Sequence, residues 1–227
     1  MRLFIAILSL TFFATYASAT GLGDLSNADA SKGLKQALIQ GADKAVAKLG
    51  KVDGFLGNPQ VKIPLPDALK RTERIMHVLG MGKQADELVL RMNRAAEAAV
   101  PEAKALLIDS VKKMSVDDAK NILTGGDDAA TQYFKKATSD SMAEKFLPIV
   151  QKAIQDVALA KQYNKFATMG SRYGLVKKDQ VNLEQYVTQK TLDGVYLMMA
   201  EEEKAIRQNP GEQASSLLKK VFGLLSN

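Results

Sequence analysis

The sequence contains no cysteine. Disulfides, thiolate metal sites and a lipid-carrying cysteine behind a leader are all excluded, so in an oxidising compartment an apolar core alone would hold the fold. There is one histidine, His77. A Ser–His–Asp or Cys–His nucleophile would have to be built on that single imidazole, and no nucleophile motif surrounds it. Zinc sites of the usual His/Cys kind need several such ligands and fail by count. Period-2 alternation, the mark of a half-buried strand, is almost absent. After the first residues no apolar run approaches the roughly 20 residues that a spanning helix needs. The lysines and arginines form no run of five, and the net charge of +6 falls to +5 once Arg2 is removed with a leader. A surplus spread this evenly reads as a solubilising surface, and nucleic acid is not an expected partner.

What is present begins with that leader. Met1–Arg2 is a short positive start, Leu3 to Phe13 is apolar apart from Ser9 and Thr11, and Ala17–Ser18–Ala19 supplies small residues for a peptidase. The run is too short for a membrane anchor and is read as a cleaved secretory signal over 1–19. The expected location is periplasmic or secreted. Residues 20–28 form a small, polar lead-in, and 29–227 suit a single helical domain large enough to bury most of its apolar surface.

Helical spacing then dominates. Leu34, Ala37, Leu38, Gly41, Ala45 and Leu49 mark a helix from Asp29 that ends at Gly50. Gly54 to Pro66 holds two glycines and three prolines and cannot be helical; each proline pushes its predecessor out of the α region, so an extended arm is expected, with Ile63 and Leu65 tucked inward. Further helices follow from Pro66–Asp67 and from Lys83 to Val100. The second is rich in alanine, with Leu88, Met92, Ala95, Ala96 and Ala99 on one face and Glu87, Arg91, Arg94 and Glu97 on the other. Pro101 starts another as a first-turn proline. Ser115 with Asp118 is a capping pattern, Asp127–Asp128 open a helix through Tyr133 and Phe134, and Ser141 opens one that must kink or restart at Pro148. Ala158–Met169, a basic connection over 170–182, Leu183–Asn209 and an amphipathic end from Gly211 complete the chain. The architecture expected is all-α: an irregular single-domain multi-helix bundle with one extended proline-rich arm.

Residues that could carry chemistry are few. Asp117–Asp118 and Asp127–Asp128 sit at helix starts, where carboxylates cap free N–H groups, and no Asp-x-Asp-x-Asp-Gly loop accompanies them. Gly80–Met81–Gly82–Lys83 lacks the strand, spacing and hydroxyl of a phosphate loop. His77 reads as a partly exposed helix residue. Arg94–Glu97 and Glu203–Arg207 are opposite charges one helical turn apart, worth about 0.3–0.5 kcal/mol if exposed. Either arginine could instead clamp another segment or a ligand carboxylate.

The motifs also carry a resemblance. Ile63–Pro64–Leu65–Pro66, Met92–Asn93–Arg94–Ala95–Ala96–Glu97, Asp118–Ala119 with Ile122–Leu123–Thr124–Gly125, Ala129 to Phe134, and Glu203 with Ile206–Arg207–Gln208–Asn209–Pro210 occur in this order. Together they resemble the bacterial exported family known as domain of unknown function 4197. The resemblance implies an envelope-associated helical domain with no established activity, substrate or cofactor. Some members look like lipoproteins, a pattern from which this cysteine-free chain departs.

The leading expectation is a non-enzymatic periplasmic binding or interaction module for an anionic or amphipathic ligand or an envelope partner. Its candidate ligand or clamp residues are Asn93, Arg94, Glu97, Thr131, Tyr133, Glu203 and Arg207, set around a groove between the helices over 83–100, 127–134 and 183–209. No catalytic residue, metal or cofactor is assigned. One alternative is a divalent-cation-dependent hydrolase, which needs two or more of Glu97, Asp118, Asp127 and Glu203 to converge. Another is a structural envelope protein docking through its last helix.

Overall fold

Apolar residues at helical spacing, with glycine, proline or capping residues between the runs, produce eight α-helices among the described residues. The computed structural model describes residues 27–208, Leu79 and Met81 excepted, with side chains for all of these but 27–30 and 71–76. The helices are α1 (Asn27–Leu49), α2 (Asp67–Val78), α3 (Gly82–Ala99), α4 (Ala103–Lys113), α5 (Val116–Thr124), α6 (Ala129–Ile154), α7 (Ala158–Arg172) and α8 (Leu183–Gln208). Short 3-10 turns at Val100–Glu102 and Lys178–Gln180 join α3 to α4 and lead into α8. No strand occurs among the described residues. The expected leader and the amphipathic end from Gly211 lie outside them.

The centre is shared by α3, α6 and α8, which pack on one another. Along α3 the buried side chains are mostly small: Ala85, Ala95, Ala96 and Ala99 are at most 1% exposed. Short side chains let α6 come close, and Leu88 and Met92 fill what remains. Helices α1, α4 and α5 pack together and against α6 or α8, whereas α2 and α7 pack on α3. The result is an all-α single domain.

The proline-rich arm lies across this core. Turns fill most of residues 51–61, so the first part of the arm is coiled where an extended segment was expected from Gly54, and only residues 62–66 form a stretch free of turn and helix. Phe55, Val61, Ile63 and Leu65 are all buried. The arm can seat only because α8 offers Gly194: a Cβ there would stand 2.7 Å from the Phe55 ring and 3.3 Å from Val61 Cβ. At the other end of the turn a Cβ on Gly54 would collide with the Leu49 carbonyl, so the chain can double back there only with glycine.

Three sequence expectations need correction. Glu97, placed on the solvent side of α3 with Glu87 and Arg91, is 4% exposed, because the 51–57 turn covers that end of the helix. Only the Glu87–Arg91 pair, 3.8 Å apart, remains on an open face. The segments from Asp127 and from Ser141 are a single helix, α6, which runs through Pro148 without a new start at Ser141. Burial of one side of α6 from Ala130 to Ile154 outweighs the one backbone bond a proline removes. Asn27 and Ala28, assigned to the lead-in, are the first residues of α1.

Two buried phenols tie the far end together. Tyr163 on α7 donates to the Gln180 carbonyl at 2.6 Å, and Tyr186 on α8 donates to the Pro64 carbonyl at 3.1 Å. Burial pushes both up to about 12, and the charges of Asp67 and Asp179 add to it. Their folded values exceed the unfolded value of about 10, so the folded state holds protons that the unfolded state has lost. Stability from these groups is complete below pH 10 and is lost as pH rises towards 12. Urea midpoints measured across that range should therefore fall steeply, and Tyr163→Phe with Tyr186→Phe should flatten the fall.

Candidate functional site

The Met92–Glu97 motif places three polar side chains on the arm side of α3. Asn93 is fully buried and faces Ile63: its Oδ1 accepts from Ile63 N at 2.8 Å, and its Nδ2 donates to Ile63 O at 2.9 Å and to Val89 O at 2.8 Å. The amide side chain thus replaces a neighbouring strand for one residue of extended chain, where Pro64 and Pro66 have no N–H to offer. Removing it would strand both backbone groups of Ile63, at about 1–3 kcal/mol for each unsatisfied group.

One turn further on, Glu97 Oε1 accepts from the backbone N–H groups of Phe55 at 3.0 Å and Leu56 at 3.1 Å. Its Oε2 accepts from Arg94 Nη1 at 2.6 Å, and Arg94 Nη2 reaches Asp53 Oδ1 at 2.8 Å. The hydrogen bonds to Glu97 and then to Asp53 hold the guanidinium above its ordinary value. Asp53 occupies the left-handed region, with φ 64°. That is an uncommon conformation for a residue with a side chain, and Arg94 fixes it.

The second motif repeats this plan at the other end of the chain. Glu203 on α8 is 8% exposed. Its Oε1 accepts from Ala130 N and its Oε2 from Thr131 N and Thr131 Oγ1, all at 2.9 Å. A carboxylate thus caps the first turn of α6, where free N–H groups and the positive end of the helix dipole coincide. Arg207, one turn along, donates to Glu203 Oε1 through Nε at 3.1 Å and Nη2 at 2.9 Å. The same Nη2 donates to the Ile122 carbonyl at 2.8 Å, in the last turn of α5. One ion pair therefore serves the negative end of α5 and the positive start of α6. Tyr133 is directed elsewhere: its hydroxyl donates to the Ser110 carbonyl of α4 at 2.9 Å, and burial, with the charge of Asp118, raises it.

The seven candidate residues accordingly fall into separate groups. Asn93, Arg94 and Glu97 meet on the arm; Thr131, Glu203 and Arg207 meet at the α5–α6 turn; Tyr133 holds α4. The hollow lined by Thr131, Glu203 and Arg207 opens on Leu34, Leu38 and Gly41 of α1 and on Ile122 of α5, and no residue of α3 lines it. Its volume of about 30 Å³ is room for a water or two, not for an organic ligand.

The other acidic groups are local. Ser115 and Asp118 form a complete capping box, with Asp118 Oδ2 accepting from Ser115 N at 3.0 Å and Asp118 N donating to Ser115 Oγ at 3.0 Å. The Ser115 hydroxyl, which donates to Asp118 Oδ2 at 2.7 Å, and then the Ser115 N–H hold the Asp118 carboxyl below its ordinary value. Asp128 occupies the N-cap position of α6 but makes no side-chain cap; its Oδ2 accepts instead from Gln132 Nε2 at 2.9 Å. Glu203 has taken the cap. His77 is exposed at the end of α2. Among the described residues no three of the His, Cys, Asp and Glu side chains stand close enough to hold a metal ion.

Sequence reasoning missed three clamps. Asn164 Oδ1 accepts from Leu183 N at 2.9 Å, starting α8 from α7, and Gln180 Oε1 accepts from Asp67 N at 3.1 Å, starting α2. No local pattern marks either, since both act across the fold. Asp53 did carry a signal, the Asp53–Gly54 pair that favours a tight turn.

This arrangement defines a class: a helical domain whose buried ionic motifs hold its own loops and helix ends. The chain matches the family model described as "Protein of unknown function (DUF4197)" over residues 24–223, and it belongs to that family. No curated protein matches it, and no solved structure does.

Truncating one partner of a buried, hydrogen-bonded ion pair costs about 3–5 kcal/mol. Glu203→Ala should lower the unfolding free energy by roughly that amount in urea titrations. Exposed Glu87→Ala, at a solvated pair, should change it by less than about 1 kcal/mol. Equal effects would mean that Glu203 does not close α6.

Proposed function

We propose that this protein is a non-enzymatic, exported binding or interaction module of the bacterial periplasm, which presents its outer surface to an anionic or amphipathic ligand or an envelope partner. The observation that carries this reading is the engagement of both buried carboxylates. Glu97 and Glu203 each use both oxygens on backbone N–H groups or an arginine of their own chain. A general base or a cation ligand needs a lone pair directed at a substrate or metal, and here the oxygens already accept from backbone N–H groups and from Arg94 or Arg207. These ionic motifs thus make a frame, and recognition falls to the surface that the frame displays.

The hydrolase alternative draws on Glu97, Asp118, Asp127 and Glu203. Three of these serve different places: the arm turn, the start of α5 and the start of α6. In thermal unfolding, millimolar Mg²⁺ or Ca²⁺ should move the midpoint by less than about 1 °C, whereas a site filled at a hundred times its dissociation constant would add about 2.7 kcal/mol and several degrees. A shift of that size would restore the hydrolase. Export is tested separately in the native host: osmotic shock should release the chain with its first residues removed near Thr20, and retention of the intact chain in the cytoplasm would sink the periplasmic reading.

A further inference from the structure

The helix α7 has an unusual outer face. Nine large apolar or aromatic side chains are exposed among the described residues, and four of them fall between 166 and 175: Phe166 (68%), Met169 (53%), Tyr173 (81%) and Leu175 (73%). Phe166, Met169 and Tyr173 recur at three- and four-residue spacing and so form one stripe along α7 and its C-terminal cap. Beside it lies an open apolar hollow of about 400 Å³ between α2 and α7, whose lining includes Leu69, Leu159, Phe166, Leu175 and Val176. The stripe therefore continues inward as a trough instead of ending at a flat surface.

The charges that the segment of α7 and its following turn carries have one sign, with Asp67, Asp179 and Glu184 of other segments at its border. Residues 157–178 contain no aspartate or glutamate and five cations. Lys161, Lys165 and Arg172 are exposed and share the helix flank next to the stripe; Lys178 follows the turn. Among the described residues none of these four pairs with a carboxylate, whereas Lys177 is held by Asp67 at 2.8 Å. Lysine and arginine stems can lie along an apolar surface while their charged ends reach outward, which places them level with headgroups when the apolar stripe is immersed. A face that is apolar along one line, cationic along the next and aromatic at its end has the composition of a helix lying in a membrane interface.

We propose that α7 and the turn after it dock this protein onto an anionic phospholipid surface, with Phe166, Met169, Tyr173 and Leu175 entering the headgroup–acyl boundary and Lys161, Lys165 and Arg172 pairing with lipid phosphates. This deepens the interaction-module reading, on which it rests, by naming the partner. It also supplies an association with the envelope that requires neither a lipid-bearing cysteine nor a spanning helix; among the described residues no helix is long and apolar enough to cross a membrane.

The test is co-sedimentation of the processed chain from Thr20 with vesicles of phosphatidylglycerol and phosphatidylcholine, compared with phosphatidylcholine alone. The chain should sediment with the anionic vesicles only, and less so as salt is raised. Each cation at such a surface contributes about fivefold, so Lys161→Gln, Lys165→Gln and Arg172→Gln together should weaken partitioning on the order of a hundredfold. Phe166→Ser with Met169→Ser should weaken it about tenfold or more while leaving the circular dichroism and thermal midpoint unchanged, since both side chains already face solvent. Equal sedimentation with both vesicle types, no sedimentation with either, or unaltered binding by both variants would overturn the proposal. So would a dimer in sedimentation velocity that the Phe166→Ser, Met169→Ser variant dissolves, because the occupant of the face would then be a second copy. Failure with vesicles leaves the non-enzymatic reading standing, whereas a thermal shift with divalent cations removes that reading without touching the vesicle result.

Discussion

A carboxylate taken out of water must be met by donors, and the cost of leaving it unmet exceeds that of most single defects in a protein. In this fold that requirement is answered twice by main-chain N–H groups of a distant segment. Glu97 gathers the turn at Phe55 and Leu56, and Glu203 gathers the start of α6 at Ala130 and Thr131. Each is steadied by an arginine on its own helix, Arg94 or Arg207, which then reaches on to a further group, Asp53 or the Ile122 carbonyl. The two arms of the architecture that hydrophobic packing alone would leave loosely specified, a proline-rich strap and a helix start, are thereby given unique positions. Buried ionic groups of this kind contribute less to net stability than to the choice of one arrangement over its neighbours.

Such a frame directs attention outward. With Asn93, Glu97 and Glu203 engaged internally, what varies over the surface is the distribution of apolar side chains and charge. The α7 face is where both depart furthest from an evenly mixed surface. By contrast two exposed acidic residues of α3 and α8 are paired locally, Glu87 with Arg91 and Asp193 with Lys190. The molecule is thus asymmetric in character although its net charge is modest.

Most of the fold was legible in the sequence, because helix periodicity, glycine breaks and prolines are local signals. The non-helical break at the prolines, the small-residue face of α3 and the Ser115–Asp118 cap all follow from residues within a few positions of one another. The site was legible in its membership and not in its geometry. Arg94–Glu97 and Glu203–Arg207 are recognisable as pairs one turn apart, yet nothing nearby says that Glu97 is covered by a turn more than 40 positions earlier in the chain or that Glu203 caps α6. The same limit explains Asp128: a local reading gives the cap to the acidic residue beside the helix, whereas the donors there are taken by a carboxylate arriving from α8. Ser141 resembles a start for the same reason, and only the packing of α6 along its length reveals one helix.

The span between Ala130 and Glu203 has a consequence for how the chain is made. These partners are 73 residues apart, so α6 emerges from a ribosome well before the residue that completes its first turn. Until α8 arrives, that end of α6 keeps its donors in water and the α5–α6 junction lacks its clasp. The α5–α6 junction can therefore take its native form only once α8 has been made and has packed against it.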